Sequence, residues 1–231
     1  MDRAIILAGG FGTRLQPAVS DRPKALAEVS GKPLIEHQLE WLKSQGITNV
    51  TLAVHHMAEQ LQDYADRCSK SNIISDVVYE NEPLGTGGAV TNVIQQKSLK
   101  GNVLVINGDT LFSFSLRPVI KYWHDRKSSI ILIASKLQDV SRFGKIIIED
   151  SYVRSFEQAT GRHQPGIVNS GAYLIDCSIF SNKKVEPFSL EHDFFPELAK
   201  NKQLFAYVLD DSESFFDIGT PESYNEIRSS N

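Results

Sequence analysis

Three glycines in four positions, Gly9, Gly10 and Gly12, follow the apolar run at residues 4–7 and lead into Thr13 and Arg14, with Lys24 ten residues on. Glycine lets a backbone approach a ligand closely, and successive N–H groups in such a turn make a concave cradle for an anion. Arg14 and Lys24 add fixed positive charge to the same loop, so the guest that fits is a polyphosphate. Strand, glycine turn and cation come in the order expected at the carboxyl end of a strand in an open α/β sheet, where such sheets bind ligands. Two better-known phosphate loops are excluded. A G-x-G-x-x-G motif begun at Gly10 would need glycine where Leu15 stands, and G-x-x-x-x-G-K-[ST] does not occur.

A second set of candidates is acidic. Asp109 follows the buried-strand run at 103–106 and Gly108, and so projects from the carboxyl edge of the sheet. A carboxylate there suits Mg²⁺, which keeps waters and bridges phosphate oxygens. Asp217 lies in Phe216-Asp217-Ile218-Gly219-Thr220-Pro221, where a glycine and a proline restart a helix. His55 and His56 are adjacent at a strand end and should face opposite sides, so they cannot share a metal.

The elements that must hold these residues alternate. Strands are expected at 4–8, 49–54, 74–79, 103–107 and 130–134, and helices between them at 33–45, 58–68, 87–96 and 118–126. In the first helix Leu34, Ile35, Leu39 and Leu42 recur at helical spacing behind Pro33. Strands alternating with helices of about ten residues imply βαβ units and a mostly parallel sheet. From about residue 143 the rhythm shortens. Strands at 145–149, 152–156 and 168–175 should lie antiparallel over the carboxyl edge of the sheet as a smaller lid.

At 231 residues and 41% hydrophobic composition the chain can bury one large core, so a single domain is expected. A net charge of −4 without a basic run argues against nucleic acid as a partner. Two cysteines, Cys68 and Cys177, make no disulfide framework and read as structural thiols in a reducing compartment. The opening MDRAIILAGG has too short an apolar run for a signal peptide, and no stretch approaches a membrane span. The cytoplasm is the expected location, with no membrane partner.

Taken together, LAGGFGTRLQP with RPK, Gly31-Lys32-Pro33, EPLGTGGA at 82–89, Asn107-Gly108-Asp109, Phe143-Gly144, Asn169-Ser170-Gly171 and FDIGTP at 216–221 resemble, in order, the signatures of the sugar-1-phosphate nucleotidyltransferases. Within that family, AVSDRPKALAEVSGKP, EPLGTGGA and FSLEHDFFPEL look most like the bacterial heptose 1-phosphate guanylyltransferases. The resemblance implies a Rossmann-like α/β fold, with residues 1–142 mainly nucleotide-binding and 143–231 supplying the sugar-binding lid, the second metal ligand and the closing helices. No hexapeptide repeats follow, so the β-helix of some relatives is not expected. The implied partners are GTP and a sugar 1-phosphate, with a homodimer as a conceivable assembly.

The resemblance also assigns roles. Arg14 would clamp the β- and γ-phosphates, Lys24 would meet the α-phosphate, and Asp109 with Asp217 would hold one divalent cation. Leu7, Ala8, Gly9, Gly10, Gly12, Thr13, Pro83, Gly85, Thr86 and Gly108 would border the nucleotide. Glu82 would take both donors of the guanine edge, where thymidylyl- and many uridylyltransferases carry glutamine. Gly144, Glu157, Gln158, Asn169, Gly171 and Asp109 would face the sugar. Here the chain departs from its relatives: many read F-x-E-K, whereas this chain reads Phe156-Glu157-Gln158-Ala159. The lysine for the sugar phosphate is missing, and Arg162, Lys145 or Arg142 could replace it.

Overall fold

The computed structural model describes residues 1–15, 18–68 and 73–229. The chain opens with β1 (Arg3–Leu7), a small hairpin of β2 (Glu28–Val29) and β3 (Lys32–Pro33), and α1 (Leu34–Ser44). Next come β4 (Asn49–Val54), α2 (Ala58–Cys68), β5 (Ile74–Tyr79), α3 (Gly85–Gln96) and β6 (Asn102–Asn107). Then follow β7 (Thr110–Ser113), α4 (Leu116–Arg126), β8 (Ile130–Leu137), β9 (Lys145–Glu149), β10 (Tyr152–Glu157) and β11 (Gly166–Asp176). The chain closes with α5 (Phe195–Lys200), β12 (Phe205–Val208), β13 (Ser214–Asp217) and α6 (Pro221–Ser229). Two strands expected from the pattern, at 49–54 and 74–79, keep the bounds read from it.

Nine strands form one sheet in the order β5-β4-β1-β6-β11-β8-β12-β10-β9. β1 runs parallel between β4 and β6, with Leu7 opposite Ala53 on one side and Asn107 on the other. The carboxyl ends of these strands therefore share one edge, which carries both the glycine loop and Asp109. Alternate side chains of the central strands enter two cores, as a pleated strand buried on both faces requires. Ile6, Leu104 and Ile106 pack with Ile35, Leu39 and Leu42 of α1. Ile5, Val103 and Val105 pack with Val90, Val93 and Ile94 of α3. A third cluster joins Leu15, Ala27, Val29 and Leu34 to Ile218 and Tyr224, and the Tyr224 hydroxyl donates to the Glu28 carbonyl at 2.8 Å. It ties the C-terminal segment to the glycine loop.

The second half corrects one expectation. The antiparallel strands do not lie as a separate layer over the sheet edge. β11 inserts antiparallel between β6 and β8, β12 runs parallel to β8, and the β9–β10 hairpin continues the same sheet. β9 also reaches back to β11 through Lys145 and Val168, so β11, β8, β12, β10 and β9 close into a ring. Closure gives the outermost strand a partner for its free edge. The half expected to form the sugar-binding lid is thus a curled extension of the central sheet.

Candidate active site

A cleft of about 310 Å³ opens where β1 and β6 end. Leu7, Ala8, Gly9, Gly10, Lys24, Pro83, Gly85, Thr86, Gly108 and Asp109, all expected to border the nucleotide or its metal, line it, together with Phe11, Glu80 and Asn107. Gly12 sits behind Lys24: its φ is +66°, and a Cβ there would lie 3.1 Å from the lysine Cγ. Thr13 and Arg14 are exposed on the same loop and do not line the cleft. Phe11 packs its ring against those of both His55 and His56, at 5.5 and 5.3 Å between centroids. The two histidines therefore share an aromatic neighbour, because regular strand geometry ends at Val54.

The acidic pair is assembled by backbone pairing. β13 lies antiparallel to β7 with Asp217 opposite Thr110, and the Ile218 N–H donates to the Asp109 carbonyl at 3.0 Å. Burial, and after it the charge of Asp109, raise the Asp217 carboxyl above its ordinary value, while the Gly219 N–H at 2.9 Å, Lys24 and Arg142 pull the other way. Lys24 Nζ is 3.0 Å from Asp109 Oδ2, and an Arg142 guanidinium nitrogen is 3.6 Å from Asp217 Oδ1. Two adjacent, mutually repelling carboxylates are a donor set for a hard divalent cation that keeps waters. Among the described residues no group of three or more His, Cys, Asp or Glu side chains forms a fully protein-ligated centre.

Sequence reading missed Gln38. Its side chain is buried on α1, and Nε2 donates to the carbonyls of Asn107 at 2.8 Å and Thr110 at 2.7 Å, clamping both ends of the turn that carries Asp109. The signal was there: residue 38 falls on the apolar stripe of Leu34, Ile35, Leu39 and Leu42, where a buried amide must find partners.

The two acids of the segment expected to meet the base lie in different places. Glu82 is exposed and absent from the cleft wall, whereas Glu80 lines it. Burial raises the Glu80 carboxyl above its ordinary value; Oε2 accepts the Leu84 N–H at 3.0 Å, and the backbone of Gly9 lies against Oε1. The close approach allowed by Gly85, Gly87 and Gly88 is made by the chain itself. A Cβ at Gly85 would lie 2.6 Å from the Phe188 carbonyl oxygen, which accepts the N–H groups of Gly87 at 3.0 Å and Gly88 at 3.3 Å. That carbonyl therefore takes two of the N–H groups of the first turn of α3.

Among the residues expected to face the sugar, β11 bulges between Asn169 and Ala172 against β8, and Gly171 takes a φ of +73° there. A Cβ at Gly171 would lie 2.7 Å from the Asn107 amide nitrogen, so the bulge fits against the strand end beside Asp109. Gly144 meets β10 closely, since a Cβ would lie 2.6 Å from the Glu157 carbonyl oxygen. Glu157 pairs with Lys145 across β9 and β10 at 3.2 Å, and Gln158 is exposed beyond the end of β10. Arg162 is exposed, while Arg142 alone of the three candidate cations touches the acidic pair.

Comparison with known proteins gives the family. The model of the family described as nucleotidyl transferase matches residues 3–230. The chain is 38% identical over 225 residues to the D-glycero-alpha-D-manno-heptose 1-phosphate guanylyltransferase of Campylobacter jejuni subsp. jejuni serotype O:2, covering 96% of each chain. It is 34% identical over 226 residues to the enzyme of that name from Aneurinibacillus thermoaerophilus, covering 97% of this chain and 96% of that one. The crystal structure of HddC from Yersinia pseudotuberculosis complexed with GMP-PN superposes with a TM-score of 0.86 at 34% identity, covering 98% of both chains. A strand-borne glycine cleft, a paired carboxylate centre beside a lysine, and these matches along the whole chain lead to one conclusion: the chain belongs to the nucleotidyl transferase family and is an enzyme.

Proposed function

We propose that the chain transfers GMP from GTP to D-glycero-α-D-manno-heptose 1-phosphate, releasing pyrophosphate and supplying an activated heptose for bacterial surface polysaccharide, in the cytoplasm. The observation that carries the guanylyl reading is Glu80, an acceptor on the wall of the nucleotide cleft that matches the N1–H and N2–H donors of guanine. The heptose reading rests on likeness to the two heptose 1-phosphate guanylyltransferases along nearly the full chain.

An oxygen of the sugar phosphate attacks the α-phosphorus of GTP, and the bond to the bridging oxygen of pyrophosphate breaks in line. That oxygen is already ionised near neutral pH, so this step needs positioning and charge stabilisation rather than a strong base. Lys24 stands where charge develops on the α-phosphate, and Arg14 reaches the β- and γ-phosphates from the rim loop. Asp109 and Asp217 would hold Mg²⁺, which supplies charge neutralisation between the two polyanions. Arg142 holds the sugar phosphate in place of the missing lysine, because it already lies against Asp217 at the reaction centre. Lys145 stays with Glu157, at the sugar hydroxyls.

Pyrophosphate release measured with four nucleoside triphosphates and a panel of sugar 1-phosphates tests the reading. GTP with the heptose 1-phosphate should give the highest kcat/KM. Faster turnover with mannose 1-phosphate, or with UTP or dTTP, would replace the corresponding half of the assignment.

A further inference from the structure

The segment before α5 carries a carboxylate, Glu191, that the reaction does not use directly. Its Oε2 accepts the Thr86 hydroxyl at 2.6 Å and the Ser189 hydroxyl at 2.9 Å, and its Oε1 accepts the Tyr173 hydroxyl at 2.8 Å. The Thr86 oxygen in turn accepts the Leu190 N–H at 2.8 Å. Beyond Tyr173 the chain of bonds continues: the Asn169 amide nitrogen donates to the Tyr173 oxygen at 2.7 Å, and Asn169 Oδ1 accepts the Gly171 N–H at 2.9 Å. Thr86 lines the nucleotide cleft, and Asn169 sits in the bulge on the sugar side.

The direction of every bond in this chain follows from its one acceptor-only member. The carboxylate oxygens accept, so the Thr86, Ser189 and Tyr173 hydroxyl protons all point at them. Tyr173 is fully buried and holds its proton, so it has only lone pairs left for Asn169. Asn169 must therefore present its NH₂ to Tyr173 and its oxygen to Gly171, which leaves one N–H for a ligand. The Thr86 hydroxyl is likewise committed, so this residue shapes the nucleotide loop through where it is held.

We propose that Glu191 is a positioning residue for both substrates: it braces the nucleotide loop through Thr86, and through Tyr173 it fixes Asn169 as a hydrogen-bond donor toward the sugar 1-phosphate. The two arms diverge at the carboxylate, and this gives the inference its test. It rests on the proposed reaction for the identity of the two ligands.

Glu191→Gln, Tyr173→Phe and Thr86→Val are compared by KM and kcat for each substrate and by calorimetric binding of GTP and of the sugar 1-phosphate separately. Tyr173→Phe should raise KM and Kd for the sugar 1-phosphate about tenfold, the worth of one oriented hydrogen bond, and move those for GTP less than about twofold. Thr86→Val should do the reverse. Glu191→Gln replaces an acceptor by a donor and should weaken both ligands, with kcat changing less than KM. Melting temperatures recorded in parallel separate these effects from loss of fold. A pattern in which the two single-hydroxyl variants move both ligands alike, or neither, overturns the bracket, whatever their stability. Wild-type protein in the same series keeps the two readings apart: no turnover with any sugar 1-phosphate overturns the proposed reaction, whereas normal turnover with an unsplit pattern overturns the role of Glu191 alone.

Discussion

Glu80→Gln should abolish most of the preference for GTP. Glu80 Oε2 is taken by the Leu84 N–H at 3.0 Å, and a glutamine can keep that bond through its own oxygen. The amide nitrogen then replaces Oε1 beside Gly9 and would meet the donor edge of guanine with further donors. A hydrogen bond to a charged acceptor contributes about 1.5–3 kcal/mol, so losing one should cost that much, or about 10- to 150-fold in kcat/KM for GTP. Uracil, with one N–H beside carbonyls, suits an amide better, so the gap to UTP should narrow. Initial rates of pyrophosphate release with both triphosphates measure the change. Glu82→Gln is the control; its side chain is exposed off the cleft wall and should alter neither rate by more than about twofold. The wild-type pH profile adds a sign. Burial raises the Glu80 carboxyl, and guanine needs its ionised form, so GTP affinity should be full above that raised value and fall as pH drops through it, at a higher pH than for an exposed carboxylate. Full GTP preference in Glu80→Gln, or collapse in Glu82→Gln, would refute the assignment.

Asp109→Ala and Asp217→Asn should each lower turnover by orders of magnitude with the fold intact; near-normal rates with a divalent cation present would remove them as ligands. Lys24→Ala should act mainly on kcat and Arg14→Ala also on KM for the triphosphate, because only Lys24 lies at the cleft beside Asp109. Unchanged constants for both would dissolve the phosphate cradle. Arg142→Ala should raise KM for the sugar 1-phosphate at least about tenfold, more than Arg162→Ala does. The reverse ranking would reassign the sugar phosphate to Arg162.

Sequence pattern made the parallel half of the fold legible because its strands are buried on both faces and its helices carry a single apolar stripe. The run Asn49–Val54 and the stripe of α1 have no competing reading. Short strands escaped: β7 and β13 are four residues each and become strands by pairing with one another over a hundred residues apart in the chain. The destination of β9 and β10 was equally hidden, since local alternation says that a strand exists but not which edge it joins. The same limit explains Glu80 and Glu82. Both precede one proline, and which of them faces the cleft depends on how the chain turns after β5 ends at Tyr79. The glycines at 85, 87 and 88 announced a close approach without naming its partner, Phe188, which lies a hundred residues away.

The place of β12 in the sheet bears on how the chain is made. Phe205–Val208 lies between β8 and β10, pairing with the first from Phe205 to Val208 and with the second at Tyr152. A nascent chain released only as far as Gln203 would already contain eight of the nine strands, yet β8 and β10 would each present a bare edge with nothing to bridge them. Long-range pairings of this kind are slow to form and leave sticky edges meanwhile. Proteins shortened by the last thirty residues should therefore associate through those edges, and the final four-residue insertion should act as the latch that converts an adhesive intermediate into a monodisperse product.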